Sequence, residues 1–294
     1  MTRARTLARP LTCSGVGLFS SLPSTLTVAP RPAGHGVCFR RTDQPEQPLI
    51  PALVNHVFAR PRQTVLSPEA GSARPAVHTV EHLLSALAAF GVTDCLCELD
   101  GPEVPMMDGS ALPFVEAIGA SGVVPARPPD RGPAPLLVPL VAERPITVSL
   151  DGGMIQALPP DGPWLDVEYY LDYGPGAPIA AQSARWRLDA AEPDPARYAR
   201  EIAPARTFCT KAEADAMRAA GLFGHLQPRD VLVIDQDGPV DTRYRLEHEP
   251  ARHKVLDVIG DLSLAGRPIH ARVIATRSGH ALNHSLVRAL LEQA

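Results

Sequence analysis

Residues 123–140, VVPARPPDRGPAPLLVPL, hold six prolines, and this tract limits the possible folds more than any other stretch. Each proline lacks the backbone N–H, fixes its own φ and biases its predecessor away from helix, so no helix or central strand can run through it. The chain therefore divides here. We place the boundary near residue 130, between an N-terminal domain of residues 1–130 and a C-terminal domain of residues 131–294. With 294 residues, 45% of them hydrophobic, each half is long enough to bury a core.

In the first half, STLTVAP alternates as a strand does, and DCLCELD sets Cys95, Cys97 and Leu99 on one face against Leu96 and Glu98. AVHTVEHLLSALAAFG repeats Val80, Leu83, Leu84, Leu87 and Phe90 at helical spacing before Gly91, which predicts an amphipathic helix over 78–91. GSALPFVEAIG predicts a second helix, with Ser110 as its cap and Pro113 in its first turn. In the second half, WLDVEYYLDY places Leu165, Val167, Tyr169 and Leu171 on one buried face. Helices are predicted at about 192–203 and 211–220, then a strand in DVLVID. A long helix follows at about 250–265, opened by Pro250 and closed by Gly266, and a last one in HALNHSLVRALLEQ. Strands and helices mix without regular βαβ alternation, the pattern of an α+β fold.

A formal net charge of -4 leaves no basic excess for a phosphate backbone, which argues against nucleic acid as a partner. The five cysteines are odd in number and form no C-x-x-C, a usage suited to a reducing compartment. The N-terminal arginines lack the unbroken apolar run of a signal peptide, and no apolar stretch of about 20 residues could span a membrane. A soluble, cytoplasmic protein is expected.

Two helices carry candidate chemistry. His78, Glu81 and His82 form H-x-x-E-H, the order of an inverted zinc-protease motif or of an ordinary surface helix. His253, Asp257 and Asp261 recur every fourth residue as one stripe, opposite Val255, Leu256, Val258, Ile259 and Leu262; alone, that stripe also reads as a solvated face. A catalytic zinc takes three N/O ligands, an open position and a nearby carboxylate base. His82, His253 and Asp257 can supply the ligands and Glu81 the base, whereas a protease would use His78 with His82.

Several separated stretches, in order, resemble the zinc-dependent UDP-3-O-acyl-N-acetylglucosamine deacetylases, the LpxC family: RTLARPLTCSGVGL, TVEHLLSALAAFGV, PEVPMMDGSALPFV, ARTF, RHKVLDVIGDL and SGHALNHSLVRALL. The resemblance covers nearly the whole chain. It implies two similar two-layer domains, helices on a sheet, with the active site between them. It implies metal ligands His82, His253 and Asp257, with His78 a bystander, and Glu81 as general base. His280 would be the protonated partner of the oxyanion or leaving amine. Asp108 and Asp261 would orient such groups, Thr207 and Lys254 would lie near the oxyanion and the substrate's polar groups, and Phe208 would lie against the sugar. Zinc is the implied cofactor, and iron(II) suits the same donors.

The implied substrate is an acylated amino-sugar nucleotide or a related glycolipid, met by a monomer with at most peripheral contact with membrane lipid. An insert at about 206–235 would shelter the acyl chain, with Leu222 and Phe223 lining it. The sequence departs from the family at GVGLFSS, where Phe19 stands in place of histidine. It departs again before Val77, and in GHLQPRDVLVID, where a Gly-Gly-Ser-x-Asp segment is missing. These departures concern the sugar and acyl sites, so another N-acetylhexosamine nucleotide or glycolipid is the alternative substrate. An inactive metal-binding homologue is a further alternative, which retention of Glu81 and His280 disfavours.

Overall fold

The computed structural model describes residues 2–69, 76–128, 132–227 and 230–293. Its helices are α1 (Glu81–Ala89), α2 (Leu112–Ser121), α3 (Pro195–Glu201), α4 (Lys211–Ala219), α5 (Glu249–Leu262) and α6 (His280–Leu291). Together with its sheets they make an α+β fold.

Two large sheets repeat one wiring. In the N-terminal half the strands run Leu11–Val16, Pro23–Pro30, Cys95–Leu99, Val37–Arg41, Leu49–Pro51 across the sheet. In the C-terminal half they run Ile146–Leu150, Gly153–Leu158, Ile269–Thr276, Leu165–Leu171, Gln182–Leu188. Each sheet thus inserts its last strand between its second and third, antiparallel to the second and parallel to the third, and in the C-terminal sheet the short strand Leu140–Val141 also pairs with the inserted strand in parallel. The predicted faces are present: Cys95, Cys97 and Leu99 are buried, as are Leu165, Val167, Tyr169 and Leu171.

Helix α2 packs on Leu11–Val16, α5 on Leu165–Leu171 and Gln182–Leu188, and α6 on the Ile146–Leu150 hairpin, while α1 lies against α2 and α5. Buried residues of both sheets and of the helices between them form one contiguous hydrophobic core. Among the described residues, no helix is long and apolar enough to cross a membrane.

The expected boundary near residue 130 falls outside the described residues, but its flanks are not a free linker. Val123–Pro125 pairs with Arg5–Leu7, and the Ala4 and Leu137 N–H groups donate to Pro135 and Thr2. Proline leaves carbonyl acceptors intact, so the tract can be tied down from its acceptor side.

Helix α1 departs from expectation in two ways. It begins at Glu81, because Thr79 adopts φ +57 and Val77–His78 is a short strand. Nor is it a half-exposed surface helix: Glu81 to Leu87 and Ala89 are all buried, as befits a helix covered on every side. The His253, Asp257, Asp261 stripe on α5 is likewise buried rather than solvated. Gly260 explains how these two helices meet, since a Cβ there would run into the Glu81 carbonyl and its backbone carbon. The close approach brings the start of α1 beside the middle of α5.

Candidate active site

Three ligand-bearing side chains converge where α1 meets α5. One ligand atom from each of His82, His253 and Asp257 lies within 4.8 Å of the others, and all three residues are buried. The Asp257 Oδ1 is 3.4 Å from the His253 Nε2 and 3.7 Å from the His82 Nε2. It is buried with no hydrogen-bond partner among the described residues. Such an orphaned anionic oxygen is costly unless a cation or donor meets it. His253 donates from Nδ1 to the Ala205 carbonyl (3.1 Å), which leaves the Nε2 lone pair facing Asp257. Burial, reinforced by His253, pushes His82 down to about 3, and burial also lowers His253, so both imidazoles are neutral. Burial would raise Asp257, but the polar His253 ring and the Lys254 ammonium beside it outweigh burial and hold the carboxyl well below the usual range. Two neutral imidazoles and a carboxylate at these separations fit a divalent ion, whose tetrahedral ligands stand about 3.3 Å apart at ~2 Å bond lengths.

Beside this triad runs a chain of hydrogen-bonded ionisable groups. His280, the first residue of α6, donates from Nδ1 to Asp261 Oδ2 (2.7 Å), and its Nε2 faces Glu81 Oε1 at 3.7 Å. Burial opposes the His280 charge, yet Asp261 and then Glu81 override it and raise the imidazole to about 9. Glu81 moves the other way from a normal carboxylate. Burial lifts it to about 8, against the lowering pull of His280 and with Asp261 and Asp257 adding to the rise. Its Oε2 accepts the Thr64 N–H at 3.1 Å. The Thr64 hydroxyl donates to Asp261 Oδ1 (2.6 Å), the Asn283 amide donates to Asp261 Oδ2 (2.8 Å), and the His284 Nε2 lies 3.3 Å from Asp261 Oδ1.

A cavity of about 310 Å³ opens over both groups. Thr207, Phe208, Lys254, Phe19, Tyr173 and Phe223 contribute to its walls. Lys254 Nζ is 2.8 Å from Asp257 Oδ2, and Phe208 meets the His253 ring edge-on at 5.9 Å between centroids. Thr207 is placed through Gly109: its N–H donates to the Gly109 carbonyl (2.8 Å), and Gly109, at φ +78, lies so close to the Asp230 carbonyl that no Cβ would fit.

The family model described as UDP-3-O-acyl N-acetylglycosamine deacetylase matches residues 4–292. The chain belongs to this family. A relative named UDP-3-O-acyl-N-acetylglucosamine deacetylase from Synechocystis sp. is 37% identical over 98% of both chains. One of the same name from Anaeromyxobacter sp. is 40% identical over 98% of this chain and 88% of its own.

Not every residue singled out by family resemblance reaches the cavity. Asp108 is held by the Ser110 N–H and hydroxyl and by Arg245 Nη1 (2.7 Å), and it makes no direct contact with His280. Leu222 is 36% exposed and absent from the cavity wall, whereas Phe223, 9% exposed, lines it. The glycine-flanked turn, with φ +61 at Phe223, directs the second of these apolar neighbours inward. His78 bonds Gln63 Oε1 (3.0 Å) and stands apart from the ligand triad. Thr64, Arg62, Tyr173, Asn283 and His284 are site residues with no strong motif of their own. His284 alone had a signal, its spacing of four from His280 on one helix.

Proposed function

We propose that the chain removes acetate from the 2-acetamido group of UDP-3-O-acyl-N-acetylglucosamine in the cytoplasm, with zinc held by His82, His253 and Asp257. The observation that carries this reading is the placing of Glu81 and His280, 3.7 Å apart, directly beside a ligand triad whose Asp257 oxygen is orphaned. When bound, a divalent ion supplies Lewis acidity and makes water acidic enough to react near neutral pH. Glu81 then accepts the proton of the attacking water as its oxygen bonds to the acetamido carbonyl carbon. The Thr207 hydroxyl, in the cavity wall, donates to the oxyanion. His280 gives its Nε2 proton to the amine nitrogen as the C–N bond breaks, releasing acetate and the free 2-amine. Glu81 and His280 face each other at 3.7 Å, so the proton taken by the first can return to the second.

Phe208 offers a flat apolar face for the sugar. The acyl chain enters past Phe223 and Phe19, whose rings lie 5.8 Å apart. Beyond them stands a second apolar cluster including Leu18, Met106, Cys209, Leu226 and Val231. Cys209, Phe223 and Val231 line both the main cavity and a smaller one of about 70 Å³ behind it. The test is mass spectrometry of the purified protein incubated with acylated and non-acylated N-acetylglucosamine nucleotides and lipids, with and without a chelator. Chelator-sensitive loss of an acetyl group from UDP-3-O-acyl-N-acetylglucosamine is expected. Loss from a different N-acetylhexosamine alone would transfer the activity to that substrate.

A further inference from the structure

A cavity larger than the one at the ligand triad lies elsewhere in the fold. It measures about 470 Å³, within the usual ~300–1,000 Å³ of small-molecule sites. It opens on the far side of the same helix pair. Leu84, Leu87 and Ala88 of α1 form one wall and Ile259 and Leu262 of α5 another, with Leu53 and Leu137 also facing the space. These are the C-terminal portions of the helices whose other faces present Glu81, His82 and Asp257. None of the residues proposed for deacetylation lines it.

Its polar fittings are unequal. Asp94 is saturated, with Oδ1 accepting the His35 and Gly36 N–H groups (2.8 Å each) and Oδ2 the Thr93 hydroxyl (2.7 Å). Arg267, also in the wall and half-buried, has no hydrogen bond or ion pair among the described residues, so its donors are open to a ligand. A guanidinium presents a donor fork matched to a carboxylate. Leu53, 41% exposed, extends the apolar surface toward solvent.

We propose that this cleft binds a long-chain fatty acid, its chain along the α1 and α5 leucines and its carboxylate on Arg267. The occupant is a single-chain anionic amphiphile because the walls are mostly apolar, the volume is that of one small molecule, and of the charged wall residues Asp94 is held by three donors of the fold whereas Arg267 has none of its donors engaged among the described residues. The site is separate from the acyl passage beside Phe223, so the two can be told apart by substitution.

The experiment is calorimetric titration of the metal-loaded protein with hexadecanoate, repeated with hexadecanol. Ala88→Trp fills the cleft from a half-buried wall position, and Arg267→Glu reverses the charge. Wild-type protein binds hexadecanoate at a site that Ala88→Trp removes, and Arg267→Glu weakens that site by about tenfold or more, the ~1.4 kcal/mol scale of one charge-assisted contact. Both variants keep their metal content and their deacetylation rate, whereas Phe223→Ser leaves the cleft site intact. The proposal is overturned by absence of binding, by binding that Phe223→Ser abolishes and Ala88→Trp does not, or by equal affinity for hexadecanol.

Discussion

The cluster of His82, His253, Asp257, Glu81 and His280 and the Phe223 side of the cavity line one space but are built by different rules. Around His280, Asp261 receives Thr64, Asn283 and His280 at 2.6–2.8 Å, and Glu81 is fixed by the Thr64 N–H. Around Phe223 the contacts are apolar, and they form a small core separate from the main one. Directional bonds between ionised groups in a water-poor site tolerate few alternatives, whereas apolar packing accepts many side chains of similar size. Substitutions in the first region should therefore abolish or re-tune the reaction, and those in the second should change which substrates it accepts.

The largest effect is expected at the ligand triad. His82→Ala, His253→Ala and Asp257→Ala should each lose most of the bound metal and nearly all activity, because each removes one of three protein ligands. Elemental analysis beside an activity assay checks this. His78→Ala, whose side chain bonds Gln63 instead, should keep both. Unchanged metal in the Asp257→Ala protein would break the ligand assignment.

A second test sharpens the role of the buried carboxylate. Activity should require ionised Glu81 and protonated His280, so the rate should rise with pH through the Glu81 transition and fall through the His280 transition near 9. A cation in the triad draws Glu81 below its cation-free value of about 8, which keeps the acidic limb below the basic one. Asp261 is the main partner holding His280 up against burial. Asp261→Asn should move the basic limb down by about 1–3 pH units, the usual effect of removing an opposite charge at contact distance. A pH–rate profile of the variant decides it, and an unmoved basic limb would assign that limb to another group.

The smallest expected effect lies on the acyl side. Phe223→Ser should shrink the kcat/KM advantage of an acylated over a non-acylated substrate by about 10- to 100-fold, corresponding to ~1.5–3 kcal/mol for one large buried apolar side chain. Leu222→Ser, at a 36% exposed neighbour, should leave it nearly unchanged. Equal effects at the two positions would remove the distinction between lining and exposed residues.

The same contrast governs what could be read from the sequence. Spacing made His82, His253, Asp257 and Glu81 candidates, because metal and proton chemistry call for such residue types on helices, but it left His78 open as a ligand and the α5 stripe open as a solvated face; the family resemblance chose between them. Leu222 and Phe223 were not separable, because two adjacent apolar residues look alike until the turn fixes which one points inward. Thr64 was invisible for another reason: it acts through a backbone N–H and a hydroxyl from a strand distant in sequence, and neither leaves a pattern. The helices and four of the strands, those in STLTVAP, DCLCELD, WLDVEYYLDY and DVLVID, followed from periodicity; others, among them the central Ile269–Thr276, were not read from it. The burial of α1 did not, since it depends on Gly260 letting a second helix cover the face that carries Glu81.

Glu81→Ala, assayed for bound metal and for acetate release in one preparation, addresses the central claim most directly. If Glu81 moves the proton and is not a ligand, the variant should hold about one ion per chain, as the three-ligand site requires, while turnover falls about 10²–10⁴-fold, the scale of a lost general base. Loss of the ion, or turnover close to that of the unaltered protein, would contradict it.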